Sequence, residues 1–160
     1  MGVPKQRDLE KARTQLARWL GAKLDAGDIA LSEIDAPAIT GFSNETLLFD
    51  AAWTEGGREH SQGFAVRVKP GAYTIFLESA FETQYRVLRA LSEHTEVPVP
   101  PTLWYEDDDS VLGAPFFVMR RVQGRVPGDA PSYHVEGWVV DETSPAEREA
   151  MWWSAVGAMA

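Results

Sequence analysis

Apolar residues recur at Leu9, Ala12, Leu16, Trp19, Leu20 and Leu24 with Lys and Arg between them, the three-and-four spacing of one helix face. Asp8 opens this run and Gly27 is its expected stop. From residue 32 to residue 53 the period shortens. EIDAPAITGF and NETLLFDAAW are short, partly alternating segments broken at Gly41, and they predict two strands. TEGGREHSQG predicts a polar hairpin loop. FAVRVK predicts a third strand with Phe64, Val66 and Val68 facing one way and Ala65, Arg67 and Lys69 the other. The three strands form an antiparallel meander.

Pro70-Gly71 breaks the sheet, and Phe81, Gln84, Leu88 and Leu91 then recur at helical spacing, with Tyr85 beside them, predicting a helix over residues 75–93. VPVPP stops it. TLWYED and PFFVMRRV predict two more strands joined by a turn at Asp107, Asp108, Asp109 and Ser110. Five strands with one helix inserted after the third make an α+β unit. Beyond Gly124 the stretch GRVPGDAPSYHVEGW reads as a connector. Ser144, Pro145 and Glu147 carry the cap and first-turn chemistry of a helix that runs to the last residue. Met151, Trp152, Ala155 and Met159 are apolar on it with no stop signal after them, so the pattern reads as cut from a longer protein.

The 160 residues are 44% hydrophobic, enough for one packed core. A formal charge of -9 argues against a nucleic-acid surface, which needs clustered cations. The chain has no Cys, which removes a disulfide framework, a thiolate metal site and a cysteine nucleophile together. The N-terminus lacks the apolar run of a signal peptide, and no stretch approaches a membrane span; a cytoplasmic protein without a membrane partner is expected. Asn44-Glu45-Thr46 matches a glycosylation acceptor by chance on this reading. Glu59 and His60 are adjacent in a polar loop and lack further ligands, so no metal site is expected there.

Three features fall in a fixed order: a small-residue loop between two strands, a cation on the third strand, and an acid or amide on the next helix. That is the order in which kinases cover, contact and clamp nucleotide phosphates. The candidates are Gly41, Phe42, Ser43 and Asn44, then Arg67, then Gln84 or Glu82. Taken alone, residues 41–44 fit a tight turn as well as a phosphate loop, Arg67 fits a solvated strand face, and Gln84 fits a helix margin.

The stretches GFSNETLLF, FAVRVKP, QYRVLRALSEHTEVPVP and VLGAPFFVMRRVQGRVP, with the helix EREAMWWSAVGAMA, resemble the aminoglycoside phosphotransferase and choline kinase family. The resemblance is to its branch of small-molecule kinases found in mycobacteria and fused to acyl-CoA dehydrogenases. It implies a protein-kinase-like N-lobe at residues 31–123, an N-terminal helical extension at 1–30, and a hinge, connector and first helix at 124–160 leading to a C-lobe outside this chain. Gly41, Phe42, Ser43 and Asn44 match the phosphate-covering loop, and Arg67 the phosphate-contacting cation, with Ala65 beside it. Met119 would lie beside the purine, and the backbone of Arg120, Arg121 and Val122 would read it.

The chain also departs from the family pattern. The ion-pairing Glu falls on Gln84, which shares the inward face with Phe81, Leu88 and Leu91, whereas Glu82 groups with Arg86 and Arg89; Glu78 or Glu82 is the alternative carboxylate. The catalytic-loop Asp, a following Asn and a metal-holding Asp have no match, so no catalytic residue and no metal ligand is expected in this chain. The implied whole is a phosphotransferase that uses ATP or GTP with Mg²⁺ on a hydroxyl of a small molecule, this segment packing on its own C-lobe and inactive alone. Tyr133, His134 and Trp138 are candidates for the acceptor side. A non-catalytic nucleotide- or ligand-binding module is the rival reading.

Overall fold

The computed structural model describes residues 7–37, 45–69, 80–128 and 131–158. It divides into two compact units, one of residues 1–95 and 99–122 and the other of residues 96–98 and 123–160. In the first, helix α1 (Leu9–Leu24) precedes strands β1 (Ile29–Leu31), β2 (Glu45–Glu55) and β3 (Arg58–Val68). Helix α2 (Phe81–His94), strand β4 (Thr102–Glu106), the one-turn helix α3 (Asp109–Leu112) and strand β5 (Phe116–Arg120) follow. The strands form one antiparallel sheet in the order β1-β2-β3-β5-β4. This is the five-stranded α+β sheet with an inserted helix that the hydrophobic pattern predicts.

Alternation along β3 divides the sheet into two faces. Phe64, Val66 and Val68 join Leu47, Phe49 and Ala51 of β2 and Phe116 and Val118 of β5 in a core that α1 closes with Ala12, Leu16 and Leu20. Burying each of the large side chains contributes about 2 kcal/mol. Asp8 caps α1 by accepting the Lys11 N–H at 3.0 Å. The helix stops at Asp25 rather than Gly27, because Asp25 itself adopts the left-handed conformation (φ 51°) and its N–H returns to Gly21 O. Short polar side chains tolerate that geometry. Arg7 then ties the start of α1 to β2, its Nη2 lying 2.8 Å from Glu45 Oε2.

Four local expectations change. The first strand is β1 at Ile29–Leu31, and among the described residues of the segment expected as a strand only Asp35 bridges, to Leu48. The polar stretch TEGGREHSQG is mostly strand: β2 and β3 extend to a two-residue turn at Gly56 (φ 58°) and Gly57 (φ 76°), the hairpin geometry that favours glycine. His60 therefore lies on β3 and stacks on Trp53 with ring centroids 5.4 Å apart. Helix α2 begins at Phe81, with Ala80 as its cap, while residues 75–79 lie outside the described residues. The expected turn at 107–110 contains the start of α3, where Asp108 accepts the Ser110 N–H at 2.9 Å.

The second unit holds the short helix α4 (Trp138–Asp141) and helix α5 (Pro145–Gly157). Ser144 and Glu147 form a reciprocal capping box at the start of α5, as the cap residues predict. The Arg125 guanidinium lies 4.4 Å from the Trp138 ring centroid and grips Glu142 through two bonds of 2.6 and 2.7 Å. No described residue of α5 is buried, and Trp152 and Trp153 are 63% and 62% exposed. No described helix is long and apolar enough to cross a membrane.

Candidate functional site

The sheet face opposite α1 is organised by register. Thr46, Arg67 and Phe117 are aligned across β2, β3 and β5, and Leu48, Ala65 and Met119 form the adjacent row. Residues paired directly across antiparallel strands point to the same face, so each row is contiguous. One row offers a flat apolar floor and the other a cation. Ala65 is buried and Leu48 and Met119 are half-buried, so only small or edge-on apolar surface is presented.

Helix α2 covers the β4–β5 end of this face. Phe81 packs on Phe117 with centroids 5.2 Å apart, and Tyr85 packs on Tyr105 at the same separation. That contact fixes the rotation of α2. Gln84 is half-buried on the side of Phe81, Leu88 and Leu91, while Glu82 is exposed and bonded to Arg86 at 2.6 Å. Arg89, by contrast, bonds Glu93 at 2.8 Å and the Tyr85 hydroxyl at 2.7 Å. Glu78 and the loop residues Gly41, Phe42, Ser43 and Asn44 lie outside the described residues.

Burial pushes the pKa of Arg67 down from its ordinary value. A guanidinium titrates so high that the group keeps its charge at neutral pH, and a partly desolvated cation interacts more strongly with an anion than a solvated one. Arg67 is thus suited to hold phosphate oxygens.

Strand β5 ends at Arg120, the first of the three backbone positions expected to read a base. The Arg120 N–H donates to Pro101 O at 2.9 Å and the Arg121 N–H to Gly63 O at 2.9 Å, so both are used within the sheet. The Val122 N–H has no backbone partner among the described residues, and its side chain is 66% exposed. Of the three backbone positions expected to read a base, Val122 is the one with its donor available. The Arg121 side chain, for which local pattern predicts no role, turns back over β3 to Asp50. A contact between residues 71 positions apart leaves no local signal to read.

In the second unit Tyr133 and Trp138, with Gly128, Pro131 and Glu136, line a hollow of about 150 Å³. The His134 and Tyr133 rings are tilted against each other with centroids 4.1 Å apart, and the Trp138 indole N–H donates to Val126 O at 3.2 Å. A larger depression of about 490 Å³ lies between the end of α1 and β1, lined by small residues together with Arg18, Asp25, Asp28 and Ile29. It is remote from the Arg67 face and carries none of the candidate residues. No group of three His, Cys, Asp or Glu among the described residues is arranged to hold a metal.

Known proteins match this chain along most of its length. The sequence model of the phosphotransferase enzyme family matches residues 35–157. The "putative aminoglycoside phosphotransferase" of Ralstonia eutropha, a crystal structure, aligns over 92% of this chain and 35% of its own, with 28% identity and a TM-score of 0.50. Two curated relatives are "Probable acyl-CoA dehydrogenase IBR3" of Arabidopsis thaliana and "Acyl-CoA dehydrogenase family member 11" of Gallus gallus. The first is 34% identical over 86 residues, 54% of this chain and 10% of the relative. The second is 35% identical over 91 residues, 57% of this chain and 11% of the relative. The chain thus spans about a tenth of the length of these curated relatives. With a family match over residues 35–157 and a kinase-like sheet beneath it, the chain belongs to the phosphotransferase enzyme family.

Proposed function

We propose that this chain is the nucleotide-binding lobe of a phosphotransferase that moves the γ-phosphoryl group of ATP or GTP to a hydroxyl of a small molecule. The observation that carries this reading is the pair of adjacent rows on one sheet face, Leu48, Ala65 and Met119 beside Thr46, Arg67 and Phe117. A base rests on the apolar row with its edge toward the Val122 backbone. The phosphates extend to Arg67, and residues 41–44, the expected phosphate loop, lie outside the described residues.

Gln84 faces the same side and can accept a hydrogen bond from a guanidinium, but it cannot neutralise one. The clamp on Arg67 is then weaker than a Glu would give. Catalytic base and Mg²⁺ ligands come from the remainder of the protein, so this segment alone does not transfer phosphate. The exposed Trp152 and Trp153 belong to the face that meets that remainder, and Tyr133, His134 and Trp138 border the acceptor.

Gln84 in the carboxylate position also favours a second reading, a non-catalytic nucleotide-binding module. The two separate on the intact protein incubated with Mg²⁺, ATP or GTP, and a panel of hydroxylated small molecules. Acceptor-dependent release of nucleoside diphosphate supports the phosphotransferase. Tight nucleotide binding with no turnover on any acceptor supports the binding module, and no nucleotide binding removes both.

A further inference from the structure

Asp50, Gly63 and Arg121 form a third row on the same sheet face, next to the apolar row. Arg121 Nη2 lies 2.6 Å from Asp50 Oδ1 and 2.8 Å from Oδ2, so the ion pair reaches from the end of β5 across β3 to β2. Gly63 lies directly beneath it. A Cβ at that position would sit 3.1 Å from both Arg121 Nε and Asp50 Oδ1 and 3.2 Å from Arg121 Cβ, closer than ordinary van der Waals contact. A side chain there would push the guanidinium and carboxylate away from the strand.

Both ends of the pair are anchored to backbone. The Arg121 N–H donates to Gly63 O at 2.9 Å, while the Asp50 N–H donates to Ser32 Oγ at 3.0 Å and Asp50 O accepts the Ser32 N–H at 2.8 Å. The contacts therefore link Ser32, just after β1, to Asp50, Gly63 and Arg121. Val122 is the next residue, just past the end of β5, so the place of its backbone N–H follows from where Arg121 is held.

We infer that the Asp50–Arg121 pair is a positioning latch for the nucleobase: it holds the Val122 backbone in place just past the end of β5 without itself touching the nucleotide. This rests on the nucleotide-binding reading above. Arg121 acts through Val122 on the base end of the ligand, whereas Arg67 acts on the phosphate end. The two ends are separable with inorganic tripolyphosphate, which has phosphates and no base.

The test is a double-mutant cycle in the intact protein, with wild type, Asp50→Asn, Arg121→Gln and the double variant, and with Arg67→Ala as control. Each is titrated with ATP, GTP and tripolyphosphate after a thermal melt to confirm folding. The pair is partly exposed, so each single variant is expected to weaken the preferred nucleotide about five-fold, with no further loss in the double and no change for tripolyphosphate. Gly63→Ala, which keeps both charges but lifts the pair, is expected to show the same base-dependent loss and replaces any variant that fails to fold. Wild-type nucleotide affinity in the single variants and in Gly63→Ala overturns the latch, as does an equal loss for nucleotide and tripolyphosphate. If these variants bind normally while Arg67→Ala weakens both ligands, the latch alone fails. If wild type binds no nucleotide, the underlying reading fails with it.

Discussion

Trp19 on α1 donates its indole N–H to Glu106 Oε2 on β4 at 2.7 Å, and Lys23 Nζ stands 3.4 Å from the same oxygen. The indole bond is the largest influence holding the Glu106 carboxyl below its ordinary pKa; burial opposes it, and the Asp108 N–H and Lys23 add to it. A carboxylate depressed in the folded state contributes stability that is full above its unfolded pKa and is lost as pH falls through the folded value. Glu106→Gln keeps an acceptor for Trp19 and loses the charge. It is expected to cost about 1 kcal/mol at neutral pH, with the gap to wild type closing on acidification below the ordinary carboxylate range. Urea melts of both proteins across that range check it, and a pH-independent gap contradicts the charge-assisted bond.

Gly57, with φ of 76°, closes the β2–β3 hairpin together with Gly56. Any side chain there meets left-handed strain, so Gly57→Ala is expected to lower stability by about 1 kcal/mol. Gly56→Asn is expected to cost less, because Asn tolerates that conformation. Thermal melts of the two variants side by side decide it, and equal melting temperatures for both contradict the assigned turn.

Leu16 of α1 is fully buried in the core against β2, β3 and β5. Leu16→Ala is expected to destabilise the sheet unit by about 2–5 kcal/mol. If α1 were an extension merely resting on the lobe, the β-sheet transition would stay in place while helical signal was lost. Circular dichroism melts followed at two wavelengths distinguish these outcomes.

Regular periodicity made most of this fold legible. Helix α1, the in-out alternation of Phe64 to Val68, the inward face of α2 and the α5 capping box all follow from local spacing or cap chemistry. The hairpin arm did not. From Glu55 to Gln62 its two faces are both largely solvated, so no alternation marks it as strand, and only Gly56-Gly57 signals a turn. The three-residue β1 is too short to show a period, and Asp25 preempts Gly27 as a left-handed cap. In the candidate site, Arg67 and Met119 lie on one sheet face, and alternation along β3 and β5 is the local signal for that; Gly41 lies outside the described residues. The Asp50–Arg121 pair was illegible because it joins strands distant in sequence, and its nearest cue, Gly63, reads in isolation as a weak point in a strand.

Arg67 is proposed to contact nucleotide phosphates on this sheet face. Calorimetric titration of the intact protein with ATP and GTP, wild type against Arg67→Ala, tests it most directly. Loss of a charge-assisted bond predicts an affinity about ten- to a hundred-fold weaker in Arg67→Ala, with the fold retained. Equal nucleotide affinity in the two proteins would remove Arg67 from the site and contradict the account.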